Sequence, residues 1–208
     1  MFAVAGLSFG CGTRAKEEPS GSAVGLVDAS HFKKIPASAA VALGDAAAKK
    51  WKKEAVLTSI SQRGVLQEWS RPEFGRTWDF ADVKTGESTR WLLEYFSPKT
   101  RELLVVDILD GKVDGEPAAM GKFDATSKPG VLGKKWIDSP VALEIARAEI
   151  ESHLKISQAD YMALSRLKYF DEDHPTWAIS FTQSKGDKPL YLVAVNAVTR
   201  QVEQSDAK

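Results

Sequence analysis

The chain of 208 residues has a single cysteine, so it cannot form an internal disulfide. It also lacks an excess charge of either sign, because 28 Lys and Arg residues balance 28 Asp and Glu residues. Affinity for nucleic acid depends on a surplus of cations that neutralise phosphates, so no nucleic-acid partner is predicted. No apolar stretch approaches the roughly 18 residues that a membrane-spanning helix needs.

Motifs for catalysis are missing as well. The sequence has no P-loop, no G-x-G-x-x-G and no G-x-S-x-G elbow. Its three histidines, His31, His153 and His174, lie far apart, whereas metal ligands cluster in sequence. The acidic segment 171–173 before His174 is interpreted as a solvated turn, with a weak cation site as the alternative. We therefore expect no cofactor, no metal ion and no enzymatic activity, although an enzyme whose site is assembled from scattered residues stays an alternative.

The position of the cysteine is informative. Residues 1–10 are apolar and small, Cys11 follows directly, and residues 12–36 mix Gly, Ser, Pro, Ala and charges. This order resembles the end of a bacterial lipoprotein signal followed by a tether, although Ser8 stands where that signal prefers Leu. The resemblance implies a lipid on Cys11 and an extracytoplasmic location, in the periplasm or at the cell surface. The alternative is a cytoplasmic protein with an apolar N-terminus and an incidental thiol.

The rest of the chain alternates helical and extended patterns. Small residues at spacings of three and four predict a helix from Ala37 to about Lys53. Asp138 or Ser139 and the following Pro140 predict the start of a second helix, which ends near Leu154. Strands are predicted at 56–61, 77–83, 90–96, 103–109, 112–113, 162–170, 176–183, 190–195 and 198–204.

Two stretches have the same organisation. Residues 91–113 and 177–202 each contain a strand that begins with Trp, a polar turn, an apolar strand, a second turn and a short arm that ends in Val. A helix precedes each stretch, which indicates an internal duplication. The predicted domains are an N-terminal signal-like segment and tether (1–36), a first module (37–116), a linker (117–135) and a second module (136–204).

Residues 191–202 (YLVAVNAVTRQV) and 105–113 (VVDILDGKV) resemble the C-terminal strand–turn–strand motif of PepSY and PepSY-like domains. Trp136–Pro140, at the start of the second helix, is similar to tandem members of that group. The resemblance implies an α+β fold of two repeated modules, each a helix packed on an antiparallel, cystatin-like sheet. It also implies an extracytoplasmic setting and an inhibitory or regulatory role toward peptidases or envelope processes.

The remaining candidate for binding is a loop-like segment that contains Trp69, Arg71 and Phe74. Such side chains dominate interface energies when they are exposed, although the loop could instead fold its Trp onto the sheet. Together these features predict a non-catalytic, lipid-anchored protein that binds an envelope protein or peptide through this loop or an exposed sheet edge. The alternative is a small-molecule binding or sensing protein with a pocket between helix and sheet.

Overall fold

The computed structural model describes residues 31–62, 84–123, 129–154, 162–168, 174–182 and 191–205. Helix α1 spans Ala37–Trp51 and helix α2 spans Ser139–Leu154. The strands are β1 (Val56–Gln62), β2 (Arg90–Phe96), β3 (Glu102–Leu109), β4 (Lys112–Val113), β5 (Ala118–Lys122), β6 (Met162–Lys168), β7 (Thr176–Thr182), β8 (Tyr191–Asn196) and β9 (Val202–Ser205). The predicted strand at 77–83 lies outside the described residues.

The arrangement of the strands contradicts the predicted fold class of two α+β modules. All nine strands belong to one antiparallel sheet, in the order β4-β3-β2-β1-β6-β7-β8-β9, and β5 also pairs with β3. Strands β1 and β6 pair with each other, and Ile60 lies opposite Leu167 in their register. The protein is therefore mostly one large sheet with two helices, rather than two separate helix-on-sheet units.

The backbones of β1 and β6 explain why the two predicted modules form one sheet. Each of these strands pairs on one side with the next strand along the chain, β2 or β7. Unpaired N–H and C=O groups at a strand edge favour pairing with another strand, and β1 and β6 supply that pairing to each other. Ile60 and Leu167 have no exposed surface, so a single hydrophobic cluster continues across the junction.

Both helices lie on the same face of this sheet. Leu93, Ile60, Leu167 and Trp177 are successive neighbours across β2, β1, β6 and β7, so their side chains point to one face. All four are completely buried in the cluster that also contains the helix residues. The other face of the sheet, which carries residues such as Leu103 and Val105 between the buried positions of β3, is called the second face below.

Helix α1 approaches the sheet closely because its buried side chains are small. Ala37, Ala40, Gly44 and Ala48 form its buried stripe. A Cβ atom on Gly44 would lie only 2.2 Å from Cδ1 of Leu93, so this part of the helix touches the sheet directly. The corresponding stripe of α2 contains larger residues, among them Leu143 and Ile150.

The helices begin beside each other, and α2 caps α1. The amide of Ala37 donates to Oγ of Ser139 at 3.0 Å, and the amide of Ser38 donates to Oδ1 of Asp138 at 3.0 Å. The first amides of a helix have no partner within the helix, and Pro36 provides no side-chain cap. Asp138 and Ser139 therefore satisfy amides that would otherwise be unpaired, and they fix the two halves relative to each other.

Candidate binding edge

The sheet ends on one side at β9 and on the other side at β4 and β5, which both pair with β3. All five residues of β5 are exposed, and Met120 has 54% of its surface exposed. None of the strands in the described part of the chain pairs with the outer side of β5. As far as the described residues go, the outer backbone groups of β5 are therefore open to pairing with an added strand.

Strand β5 has little side-chain bulk to obstruct a partner. Its sequence is AAMGK, and a Cβ atom on Gly121 would meet nothing within 4 Å. Met120 lies opposite Leu103, and Ala118 lies opposite Val105, so both side chains are on the second face of the sheet. An incoming strand would thus meet an open backbone with one large apolar side chain.

Contacts at both ends hold β5 in place. Before the strand, the amide of Asp114 donates to the carbonyl oxygen of Asp107 at 2.8 Å, and Gly115 turns the chain with a φ of 66°. After the strand, the amide of Phe123 donates to the carbonyl oxygen of Arg101 at 2.9 Å. The ring of Phe123 also packs edge-on against the buried Phe96, with 5.6 Å between ring centroids. The edge is therefore formed before any partner binds, which lowers the entropy cost of binding.

Strand β9, at the other end of the sheet, carries more polar side chains. Oε1 of Glu203 lies 2.6 Å from Nε2 of His174 and accepts a hydrogen bond from Nδ2 of Asn196 at 2.8 Å. Gln204 follows and is exposed. Polar and charged side chains on an edge strand disfavour pairing with another chain. Of the two edges in the described structure, β5 is thus the better candidate for binding.

A polar cluster lies at the turn between β2 and β3, below the end of α1. The hydroxyl of Ser97 donates to Oε1 of Glu54 at 2.9 Å, and Lys52 binds both Thr100 and Glu102. Hydrogen bonds from its own backbone amide and from Ser97 lower the pKa of Glu54. Hydrogen bonds from Lys52 and Thr100 lower the pKa of Glu102.

Ser97 in this cluster has no exposed surface, so a substrate cannot reach its hydroxyl. The carboxylates beside it have lowered pKa values and stay ionised at neutral pH, which does not suit a general acid. The cluster therefore fastens the end of α1 to the β2–β3 turn. Across the described ranges, no three His, Cys, Asp or Glu side chains are grouped in a way that would hold a metal ion.

The four residues singled out in the sequence, Cys11, Trp69, Arg71 and Phe74, lie outside the described residues. Strand β5 is not among the predicted strands, because the Gly, Pro, Ala, Lys and Ser content of residues 117–135 predicts a linker there. Ala118–Gly121 contains no β-branched or aromatic residue, so nothing in its composition indicates a strand. The signal available in the sequence was a pair of Asp-Gly turn dipeptides, Asp110-Gly111 and Asp114-Gly115, whose glycines both have positive φ in the structure.

Comparison of the chain with protein-family models, with curated proteins and with solved structures gives no match. The resemblance to PepSY domains therefore rests on the residues quoted for it. The helices of the described structure are α1 and α2. Neither of them is both long enough and apolar enough to cross a bilayer.

Proposed function

We propose that this chain is a non-catalytic binding protein of the cell envelope, and that it binds an extended segment of a protein or peptide as an added strand on β5. The observation that carries the proposal is the open outer side of β5, where all five residues are exposed. In strand addition, backbone hydrogen bonds supply affinity, and side chains on alternate positions supply selectivity. Met120 is the side chain on β5 that would discriminate between partners.

The sequence around Cys11 supports an envelope location, since a lipid on that residue would tether the domain to a membrane. The PepSY-like motif at 191–202 supports a regulatory role toward an envelope protein or peptidase. Both remain predictions. Mass spectrometry of the native protein tests the first of them, because an unmodified Cys11 would contradict the anchor.

The interior of the described structure favours this proposal over small-molecule binding. A pocket between helix and sheet would need a gap, but Leu93 and Tyr95 pack directly against the backbone of α1 at Gly44. Trp91 and Trp177 fill the sheet side of the core and have no exposed surface. We therefore propose the sheet edge, and not the helix–sheet interface, as the binding site.

Two proline variants test the use of β5. Successive N–H groups along a strand point to opposite sides, so of Ala119 and Met120 one donates toward β3 and the other points away from it. Proline has no N–H, so one of Ala119→Pro and Met120→Pro (the inward variant) removes a donor to β3. The other (the outward variant) removes a donor on the open side of β5. Linear peptides are selected from a random display library on the wild-type protein. We expect the outward variant to keep its melting temperature and lose peptide binding, and the inward variant to be less stable.

The matched control is Gln204→Pro on β9, which changes the other edge strand and should keep peptide binding. Selection of no peptide at all would contradict the proposal. Peptide binding that survives in both β5 variants would also contradict it, because the selected peptides would then bind elsewhere.

A further inference from the structure

Exposed lysines gather at the end of the molecule where β5 ends. Two of them lie in the last turn of α1, one follows that helix, one lies in the turn between β2 and β3, and one is the last residue of β5. In chain order they are Lys49, Lys50, Lys53, Lys99 and Lys122. This group is called the lysine end below.

Contacts within the described structure bring these elements together. Lys52, which lies between the lysines of α1 and Lys53, binds Glu102 at the start of β3. Lys122 lies opposite Glu102 in the pairing of β3 with β5, so its side chain is on the face of the sheet that carries α1. The charge of Lys99 acts on Glu54, just after the helix, and adds to the hydrogen bonds that lower the pKa of that carboxyl.

The cations at this end exceed the carboxylates beside them. Glu102 is bound to Lys52, and within the described ranges none of the lysines of the lysine end forms an ion pair. The chain as a whole has equal numbers of positive and negative side chains. The lysine end is therefore a local separation of charge, which attracts a ligand with several carboxylates.

We infer that the segment added to β5 continues, beyond the Lys122 end of the strand, into a run of Asp and Glu residues that binds the lysine end. The inference rests on the proposed function, because it names the class of partner for the same edge. That class is an extended peptide with an acidic flank on one side. Asp114 and Glu116, both exposed, precede β5 and disfavour an acidic flank on the other side.

A membrane surface with anionic lipids is the other partner that exposed lysines attract. The position of the N-terminal segment favours the peptide. The amide of Lys33 donates to Oδ1 of Asp110 at 2.7 Å, so the chain that leads back to Cys11 lies at the opposite end of β3 from Glu102. These ends of the eight-residue strand are roughly 23 Å apart. A lipid on Cys11 would draw that opposite end toward the membrane and leave the lysine end facing away from it.

The expected gain in affinity comes from several weak contacts. Each exposed ion pair contributes little and is screened by salt. An acidic flank that meets several lysines should nevertheless strengthen the binding of a β5 peptide by about tenfold at low ionic strength. The gain should disappear at about 0.5 M salt, whereas the backbone hydrogen bonds of the added strand are less sensitive to salt.

Glutamate-extended peptides test the inference on the full chain. Each peptide selected on β5 is prepared unextended, with four glutamates at its N-terminus, and with four glutamates at its C-terminus. Affinities for the protein carrying Cys11→Ser are measured by fluorescence anisotropy at about 20 mM salt, where screening is weak. We expect the extension that reaches Lys122 to increase affinity about tenfold, and the extension at the other end to give no gain.

Two double variants with the same change in charge localise the effect. Lys50→Glu with Lys99→Glu changes two exposed positions of the lysine end and should abolish the gain, while the unextended peptide keeps its affinity. The matched control is Lys112→Glu with Arg200→Glu, which should keep the gain. Lys112 lies opposite Leu109 at the other end of β3, and Arg200 lies in the turn after β8. Lys50→Gln with Lys99→Gln, a milder change, should reduce the gain in part.

Vesicles of phosphatidylcholine containing phosphatidylserine separate the membrane from the peptide. The protein carrying Cys11→Ser should bind them no better than the variant with Lys50→Glu and Lys99→Glu does. Vesicle binding that depends on these lysines, together with no gain from the glutamates, would assign the lysine end to a membrane surface and overturn the inference.

A gain at neither end of the peptide, an equal gain at both ends, or a gain that survives in the lysine variant would also overturn it. These results leave the proposed function in place, because the unextended peptides still bind β5. A failure of the proposed function is different, since it consists of peptide binding that survives both proline variants of β5 before any glutamate is added.

Discussion

The indole Nε1 of Trp91 donates a hydrogen bond to the backbone carbonyl oxygen of Ile35, two residues before α1 begins, at 2.9 Å. The second half of the sheet repeats this contact, since Nε1 of Trp177 donates to the carbonyl oxygen of Ile137 at 2.8 Å, two residues before α2 begins. Each tryptophan thus fixes the start of a helix to the middle of the sheet. The two strands that begin with or near a tryptophan, β2 and β7, indicated a duplication in the sequence. In both halves of the sheet, the tryptophan of that strand holds the start of a helix.

Replacement of either tryptophan by phenylalanine should lower the free energy of unfolding by about 2–4 kcal/mol, because it leaves a buried carbonyl without its donor and creates a cavity. Urea unfolding at neutral pH measures the effect for Trp91→Phe and Trp177→Phe. Trp51→Phe is the control, since Trp51 is only half-buried at the end of α1, and it should cost less than about 1 kcal/mol. Equal effects at all three positions would contradict the role of the indole hydrogen bonds.

The sequence predicted the two helices and most strands because their patterns are local. Alternation around Trp91 and Trp177 marks strands, and small residues at helical spacing mark α1. The pairing of β1 with β6 is not local, because five elements of the described structure lie between Ile60 and Leu167 along the chain. Nothing in the local pattern of either strand specifies which distant edge it pairs with. For that reason most of the predicted helices and strands agree with the structure, whereas the predicted two-module fold class is wrong.

The candidate site escaped prediction for a related reason. A strand is recognised in sequence by β-branched and aromatic residues, which mark half-buried positions. Ala118–Lys122 is exposed throughout and is a strand only because β3 offers it a backbone to pair with. An edge strand that keeps its surface open for a partner lacks the pattern on which strand prediction depends.

The junction of β1 and β6 predicts cooperative unfolding. Ile60→Ala and Leu167→Ala should each destabilise the chain by about 2–5 kcal/mol, because each removes a completely buried side chain. The two residues lie opposite each other, so the double variant should deviate from additivity. Urea unfolding followed by near- and far-UV circular dichroism should give one coincident transition for wild type and variants. Two separate transitions would indicate that the halves fold independently, in conflict with the single sheet.

The close contact of α1 with the sheet predicts an unusual response at Gly44. In a helix interior, Ala is favoured over Gly by about 1 kcal/mol. Here the new methyl group would meet Cδ1 of Leu93 at 2.2 Å and Oη of Tyr95 at 2.7 Å. We expect Gly44→Ala to destabilise the protein by about 1–3 kcal/mol, as overpacking of a core does.

Two variants control the Gly44 experiment. Ala46→Gly, at an exposed position of the same helix, should cost about 1 kcal/mol through helix propensity alone. Leu93→Ala removes the nearest clashing group, so adding Gly44→Ala to it should be less harmful than adding it to the wild type. Stabilisation by Gly44→Ala alone would show that the helix lies farther from the sheet than described.

The phenol of Tyr95 predicts a loss of stability in alkali. Its hydroxyl donates to Oδ1 of Asp45 at 2.9 Å, and only 1% of its surface is exposed. Burial above all, and then the negative charge of Asp45, raises the pKa of Tyr95 far above its usual range. In the unfolded chain the phenol ionises near pH 10, so above that pH the unfolded state has lost a proton that the folded state keeps. The contribution of Tyr95 is therefore complete below about pH 10 and declines as the pH rises further.

Tyr95→Phe isolates this contribution. At neutral pH the variant should be about 1–2 kcal/mol less stable than the wild type, because the hydrogen bond to Asp45 is gone. Between about pH 9 and pH 11 the stability difference between wild type and variant should shrink. Alkali ionises the Tyr95 phenol in the unfolded wild-type chain, and the variant has no phenol at this position. Urea unfolding at a series of pH values gives both quantities. Asp45→Asn should reduce the alkaline loss only in part, because burial is the larger cause of the raised pKa. A stability difference that stays constant across this range would mean that the Tyr95 hydroxyl is accessible to solvent in the folded protein.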